Sequence, residues 1–215
     1  MSFDGIFTKA VVDEIYPLLL NGKINKINQP DKNEINLQIY NKENYKLLLS
    51  CANDLSRIHL SEKSKKNPIT AYNFCMLLRK HLVGGTIKNI YQHKMDRVVC
   101  FEIENLNELK ELSKKLLIIE IMGKHSNILL VDKSSNKILE VIKHIGFSQN
   151  SYRTLLPGAT YIAPPSTEAL NPFTIKDEKL FEILQTQELT AKNLQSLFQG
   201  LGRDTANELE KLLHD

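Results

Sequence analysis

Asp96 and Arg97 stand together at the head of a strand-forming run, Val98-Val-Cys-Phe-Glu-Ile-Glu. A second run, Leu116-Leu-Ile-Ile-Glu-Ile-Met, ends at Gly123-Lys124-His125-Ser126-Asn127. Polar residues at strand ends commonly build sites. The alternative is a hairpin corner with a solvated ion pair, worth about 0 to 1 kcal/mol, with Gly123 as a bulge. A second pattern, Leu194-Gln-Ser-Leu-Phe-Gln-Gly200-Leu-Gly202-Arg203-Asp-Thr-Ala206-Asn-Glu-Leu209, fits a helix-hairpin-helix. There Gly200 and Gly202 make a tight reversal whose amides, at the start of the next helix, suit a phosphate. The same motif also packs helices without touching nucleic acid, and Arg203 is its only nearby cation.

Other chemistry is missing from the residue pattern. The six histidines and three cysteines show no metal-ligand spacing, so no metal site is expected. There is no phosphate-cradling loop with its lysine and no dinucleotide fingerprint, so no cofactor is expected. Ser126 and His125 are neighbours on a strand and point to opposite faces, which keeps them from acting as nucleophile and base. A non-catalytic protein is expected. Of the 215 residues 42% are hydrophobic and 25% charged, and the net charge of +3 is too small to announce a nucleic-acid binder. Widely spaced Cys51, Cys75 and Cys100 read as reduced, packed thiols of a cytoplasmic protein. Asp4, Asp13 and Glu14 interrupt any signal sequence, and no apolar run reaches membrane-spanning length.

The elements that must position these residues follow from periodicity. Phe7, Val11, Ile15, Leu18 and Leu19 predict a helix from about 5 to 21, bent at Pro17 and ended by Gly22. Alternating runs around 24–27, 35–39, 47–51 and 58–60 read as antiparallel strands, with turns at 31–33 and 41–44. A basic loop at 62–67 precedes a second helix capped by Asn67 with Pro68 at its first position. Gly84-Gly85 ends that helix. Strands are then predicted at about 97–104, 115–122, 126–132 and 137–144.

The chain also echoes itself. Gly22-Lys-Ile-Asn-Lys-Ile-Asn-Gln matches Gly85-Thr-Ile-Lys-Asn-Ile-Tyr-Gln, and Lys46-Leu-Leu matches Lys115-Leu-Leu. Helix plus meander thus occurs twice, predicting an α+β fold: an antiparallel β-sandwich with two flanking helices. In that alignment Asn33-Glu34 occupies the corner held by Asp96-Arg97. Pro157, Gly158, Pro164, Pro165 and Pro172 mark 157–172 as a connector or strap. The expected division is a first domain over 1–170 and a small all-α helix-hairpin-helix domain over 173–215.

Met1-Ser2-Phe3-Asp4-Gly5, Gly22-Lys-Ile-Asn-Lys-Ile27, Asp96-Arg97, Glu120-Ile-Met-Gly123 with Ser126-Asn127, and Pro157-Gly158 through Tyr161 to Pro164-Pro165 together resemble the N-terminal part of the NFACT family. The resemblance covers essentially the whole chain and implies a sandwich like that of formamidopyrimidine-DNA glycosylases. Those enzymes use a proline after the initiator methionine as nucleophile. Here the residue is Ser2, so glycosylase activity is not carried over. Family members continue into a coiled coil and a C-terminal RNA-binding domain, so this chain is expected to be an N-terminal fragment.

What the resemblance implies is a factor of ribosome-associated quality control. Such factors bind the large ribosomal subunit carrying stalled peptidyl-tRNA and recruit charged tRNA, alanine tRNA in bacteria, for untemplated C-terminal tailing. By resemblance Asp96, Arg97, Glu120, Ile121 and Met122 are the tRNA-binding residues. An arginine can stack on a base or grip a phosphate, and a neighbouring carboxylate can orient it. Arg57, Lys88, Lys94, Lys124, Gly200, Gly202 and Arg203 are candidate phosphate contacts. Two other readings stand beside this one: a fibronectin-binding surface adhesin, as an older family name suggests, and a non-catalytic DNA-binding relative of repair glycosylases.

Overall fold

The computed structural model describes residues 3–215. Ser2, the position compared with the glycosylase nucleophile, lies outside them. Helix α1 (Gly5–Leu19) leads into a meander of β1 (Lys23–Asp31), β2 (Glu34–Asn41), β3 (Glu43–Ser50) and β4 (Arg57–Leu60). Helix α2 (Asn73–Leu82) leads into β5 (Thr86–Gln92), β6 (Val98–Leu106), β7 (Leu112–Glu120), β8 (Asn127–Asp132) and β9 (Lys137–Val141). Three helices close the chain: α3 (Asp177–Thr186), α4 (Ala191–Leu197) and α5 (Arg203–His214). The architecture is α+β.

The strands form one antiparallel sheet in the order β4-β3-β2-β1-β5-β6-β7-β8-β9, rather than two separate sheets. The reason lies at the two helix exits, where β1 and β5 bond to each other. Asn21 N donates to Ile87 O, and Gly84 N to Ile24 O, both at 2.8 Å; Ile24 N donates to Gly85 O, and Ile87 N to Gly22 O, both at 2.9 Å. Each bond has its mate under the internal duplication, so the two repeats are related by a local twofold. Gly22 and Gly85 pack tightly against the end of their own repeat's helix, where a Cβ would lie 2.9 Å from Leu19 O and from Leu82 O respectively. A Cβ on Gly22 would sit 2.6 Å from the Ile39 side chain, and one on Gly85 2.8 Å from Ile103. Asn41 and Asn105 complete the symmetry: each side-chain amide donates to two carbonyls at the end of its own repeat's helix.

The two halves share one core. Ile15 and Leu19 of α1, Leu78 and Leu82 of α2, Leu37 of β2 and Phe101 of β6 are all buried in it. Lys143, just after β9, donates to Cys51 O, just after β3, at 2.6 Å, so the long sheet curls until its outer segments meet. The outer face of the second meander carries a separate core of Val98, Cys100, Ile118, Leu129 and Val131, covered by Leu155 and Tyr161. The proline-rich segment is therefore a strap pinned along β9: Ile138 N donates to Ala159 O and Tyr161 N to Asn136 O, each at 2.8 Å. A third core of Ile183, Leu194 and Phe198 holds α3, α4 and α5, and Leu170 bridges to Phe198.

Two local expectations change. The second helix starts at Asn73, behind Tyr72, and not at Asn67-Pro68. Residues 62–70 are exposed throughout, Ile69 fully, so an added turn would bury nothing. At the end of α1 the left-handed residue is Asn21 (φ 65°), one position before the predicted Gly22.

Candidate nucleic-acid interface

Between β5 and β6 the chain makes a corner longer than the Asp31-Lys32-Asn33 turn of the first repeat. Lys94 takes the left-handed region (φ 50°) and buried Met95 points inward. His93 N donates to Val98 O and Asp96 N to His93 O, both at 3.0 Å. The His93 Nδ1 and Asp96 Oδ2 atoms lie 3.0 Å apart, so the Asp96 carboxylate closes the corner from outside. Gln92 braces it from below, its side-chain nitrogen donating to Asp96 O at 2.9 Å and to Gly5 O at 2.8 Å. Arg97 is left exposed at the head of β6, its carbonyl accepting from Ile121 N at 2.8 Å. Among the described residues the Arg97 guanidinium has no hydrogen-bonded or charged partner.

Gly5 lies against this corner. A Cβ there would fall 2.0 Å from Met95 O and 2.6 Å from Gly200 Cα, so only glycine lets the start of α1, the corner and the α4–α5 turn meet. Gly200 itself is left-handed (φ 83°). The three segments, with Met122 and Pro164 to Thr167, enclose a groove of about 520 Å³ lined by Asp96, Arg97 and Arg203. Lys94 reaches the rim through Ser166 Oγ at 3.0 Å, and exposed Lys124 follows Met122 by two residues.

Not every expected residue reaches the groove. Glu120 is completely buried and Ile121 is 1% exposed, so of that trio only Met122 lines it. Glu120 is instead held by Arg153, whose Nη2 and Nη1 donate to Oε1 at 2.6 Å and Oε2 at 2.7 Å, and by Tyr161 Oη at 2.8 Å. Burial and the Glu120 carboxylate push the Tyr161 hydroxyl far above its usual range. For Arg153 burial works against the charge, but the bonds to Glu120 outweigh it and raise its pKa. This triad lies under the corner, because Glu120 pairs across the sheet with Val98. Nothing in the residue pattern singled out Arg153; the buried Glu120 that needs a cation was the available signal.

Gly202 is also accounted for differently. Its N–H donates to Asp4 Oδ2 at 2.9 Å, and Thr205 Oγ donates to the same oxygen. Asp4 Oδ1 accepts from Phe7 N at 2.8 Å, so one buried carboxylate caps both α1 and α5 and occupies the amide expected to meet a phosphate. Arg57 lies elsewhere, in a pocket beside Glu34 and His59, and Lys88 is exposed on β5 outside the groove. Among the described residues no cluster of three or more His, Cys, Asp or Glu side chains could hold a metal ion. No helix there is long and apolar enough to cross a membrane.

The helix-meander unit occurs twice in one nine-stranded antiparallel sheet of an α+β protein. The chain belongs to the NFACT family, matching its N-terminal and middle domains over residues 4–215. It is 64% identical, over 99% of its length, to the Rqc2 homolog RqcH of Streptococcus pneumoniae serotype 2, and spans 39% of that protein. It is 41% identical over 87% of its length to the Rqc2 homolog RqcH of Bacillus subtilis, of which it spans 33%. The crystal structure of the N-terminal domain of fibronectin-binding protein PavA from Streptococcus pneumoniae superposes with a TM-score of 0.95 at 63% identity, covering 99% of this chain and 80% of that one.

Proposed function

We propose that the chain is a non-catalytic RNA-binding module of ribosome-associated quality control, which takes a charged tRNA, alanine tRNA in bacteria, at the Asp96-Arg97 corner while docked on the large ribosomal subunit. The observation that carries this reading is the exposed Arg97 guanidinium with no partner among the described residues, at a groove that Arg203 also lines. A planar fork without a protein acceptor suits a phosphate or an unpaired base. Met122 supplies an apolar wall, Lys94 supplies rim charge, and the buried Glu120–Arg153–Tyr161 triad supports the corner from beneath. Kinship with proteins named RqcH supports the ribosomal setting. Peptide-bond formation belongs to the ribosome.

The test is equilibrium binding of the chain to tRNA and to duplex DNA over a salt series. Phosphate contacts predict a log–log slope of about −0.7 per contact for single-stranded regions, with tRNA preferred. Salt-independent binding, or equal binding of duplex DNA, would reject the reading. A second reading, binding of fibronectin, is favoured by the name of the similar PavA domain alone. It predicts a fibronectin complex that tRNA does not displace.

A further inference from the structure

The two repeats each bury one glutamate on the outer face of the sheet, and they treat it differently. In the second repeat Glu120 is sealed by the bidentate Arg153 beneath the strap. In the first repeat Glu34, 3% exposed at the start of β2, meets among the described residues only Lys65 Nζ at 2.7 Å and a long 3.3 Å bond from Asn36 Nδ2. Lys65 belongs to the exposed 62–70 segment, and its own side chain is half exposed. Asn36 is 9% exposed, and its buried Oδ1 accepts no hydrogen bond among the described residues. Both side chains line a pocket of about 440 Å³, floored by Leu48 and walled by Arg57 and His59.

Arg57 is held in place, with Nε donating to His59 Nε2 at 3.1 Å and Nη1 to Leu55 O at 2.7 Å, which leaves Nη2 without a bond among the described residues. The pocket thus offers a carboxylate held by an exposed lysine and one long amide bond, an amide oxygen and an arginine nitrogen that have no partner among the described residues, and Lys63 at the mouth.

We infer that this pocket is a second binding site, for the base of an unpaired guanine nucleotide, and that Lys65 is a displaceable plug over it. Guanine alone among the common bases carries N1–H and N2–H₂ side by side, matching Glu34 and Asn36 Oδ1, with O6 as an acceptor for Arg57. Leu48 supplies an apolar surface under the ring, and once Lys65 leaves Glu34 it joins Lys63 to meet the phosphate. A guanidinium would satisfy the same two acceptors, but it would add a cation beside Arg57, Lys63 and Lys65. The inference shares with the proposed function only the premise that the chain meets RNA, and no residue of the Arg97 groove takes part.

The experiment is a titration of the chain with guanosine, inosine and adenosine monophosphates and with the pentaribonucleotides UUGUU and UUAUU. Native protein, Glu34→Gln and Arg97→Ala are compared. The expected result is about tenfold or greater preference for guanine over adenine in both the mononucleotide and the oligomer. The preference is lost in Glu34→Gln, kept in Arg97→Ala, and reduced with inosine, which lacks the N2 amino group. A guanine preference confined to the oligomer would place the site on RNA, and one shared by the mononucleotide would make it a nucleotide pocket; either supports guanine recognition. Equal affinity for guanine and adenine, inosine binding as well as guanosine, or capture of N-acetylarginine amide in place of guanine would overturn it. The base comparisons need no variant, so a folding defect in Glu34→Gln leaves the test intact. Loss of tRNA binding in Arg97→Ala with the guanine preference unchanged would separate the two sites.

Discussion

Arg97 and Arg153 sit on either side of one strand pair and have opposite fates. Arg97 is exposed and free of protein partners among the described residues, whereas Arg153 is 7% exposed and grips Glu120 with both forks of its guanidinium. A carboxylate left alone in that interior would be costly, so Arg153→Met is expected to destabilise the fold by about 3 to 5 kcal/mol in denaturant unfolding. Pairing it with Glu120→Leu is expected to recover most of the loss, since the double change removes both charges. A double variant no more stable than the single one would show that the triad contributes more than charge neutralisation. The sequence made Asp96-Arg97 legible as a polar pair at a strand end. It left Glu120 ambiguous, because a glutamate inside an apolar run reads alike whether it faces a ligand or a buried arginine 33 positions away.

At the scale of elements, the α4–α5 turn and the start of α1 act as one unit because Asp4 caps both helices. Replacing Asp4 with alanine removes the Phe7 cap of α1 and the bonds from Gly202 and Thr205. Each lost cap costs about 0.5 to 2 kcal/mol. Amide exchange of the first turn of α5 is expected to rise along with that of α1. Faster exchange in α1 alone would mean that the turn is held by its own packing. The pattern around Gly200 and Gly202 was readable as a tight reversal between helices, and the structure has one, with Ala206 fully buried where the helices meet. The owner of the Gly202 amide was not readable, because its partner lies 198 residues earlier in the chain.

For the whole molecule the repeat is the organising fact. The glycine pairs, the strand alternation and the helix faces announced two helix-meander units. That they join through β1 and β5 into a single curled sheet depends on hydrogen bonds between helix exits, which no local period encodes. Acid stability also has a global reporter at the β8–β9 hairpin. Partial burial would raise the Asp132 carboxyl, but hydrogen bonds from Ser135 and Ser134 and the charge of Lys115 bring it from 3.8 down to about 2. Above about pH 5 the group is ionised in both folded and unfolded chains, and its stabilisation is complete. As pH falls toward 2 the unfolded chain takes up the proton first, and up to about 2 kcal/mol is lost. Asp132→Asn is expected to flatten the pH dependence of unfolding between pH 4 and 2, and an unchanged profile would assign acid sensitivity elsewhere. The central claim concerns the second corner, and binding of alanine tRNA by native, Asp96→Ala and Arg97→Ala chains at one fixed salt concentration tests it most directly. The account predicts that Arg97→Ala weakens tRNA binding by about 1 to 3 kcal/mol while leaving the melting temperature unchanged. It predicts a smaller loss for Asp96→Ala, which frees His93 and loosens the corner. Native-like tRNA affinity in a folded Arg97→Ala chain would contradict it.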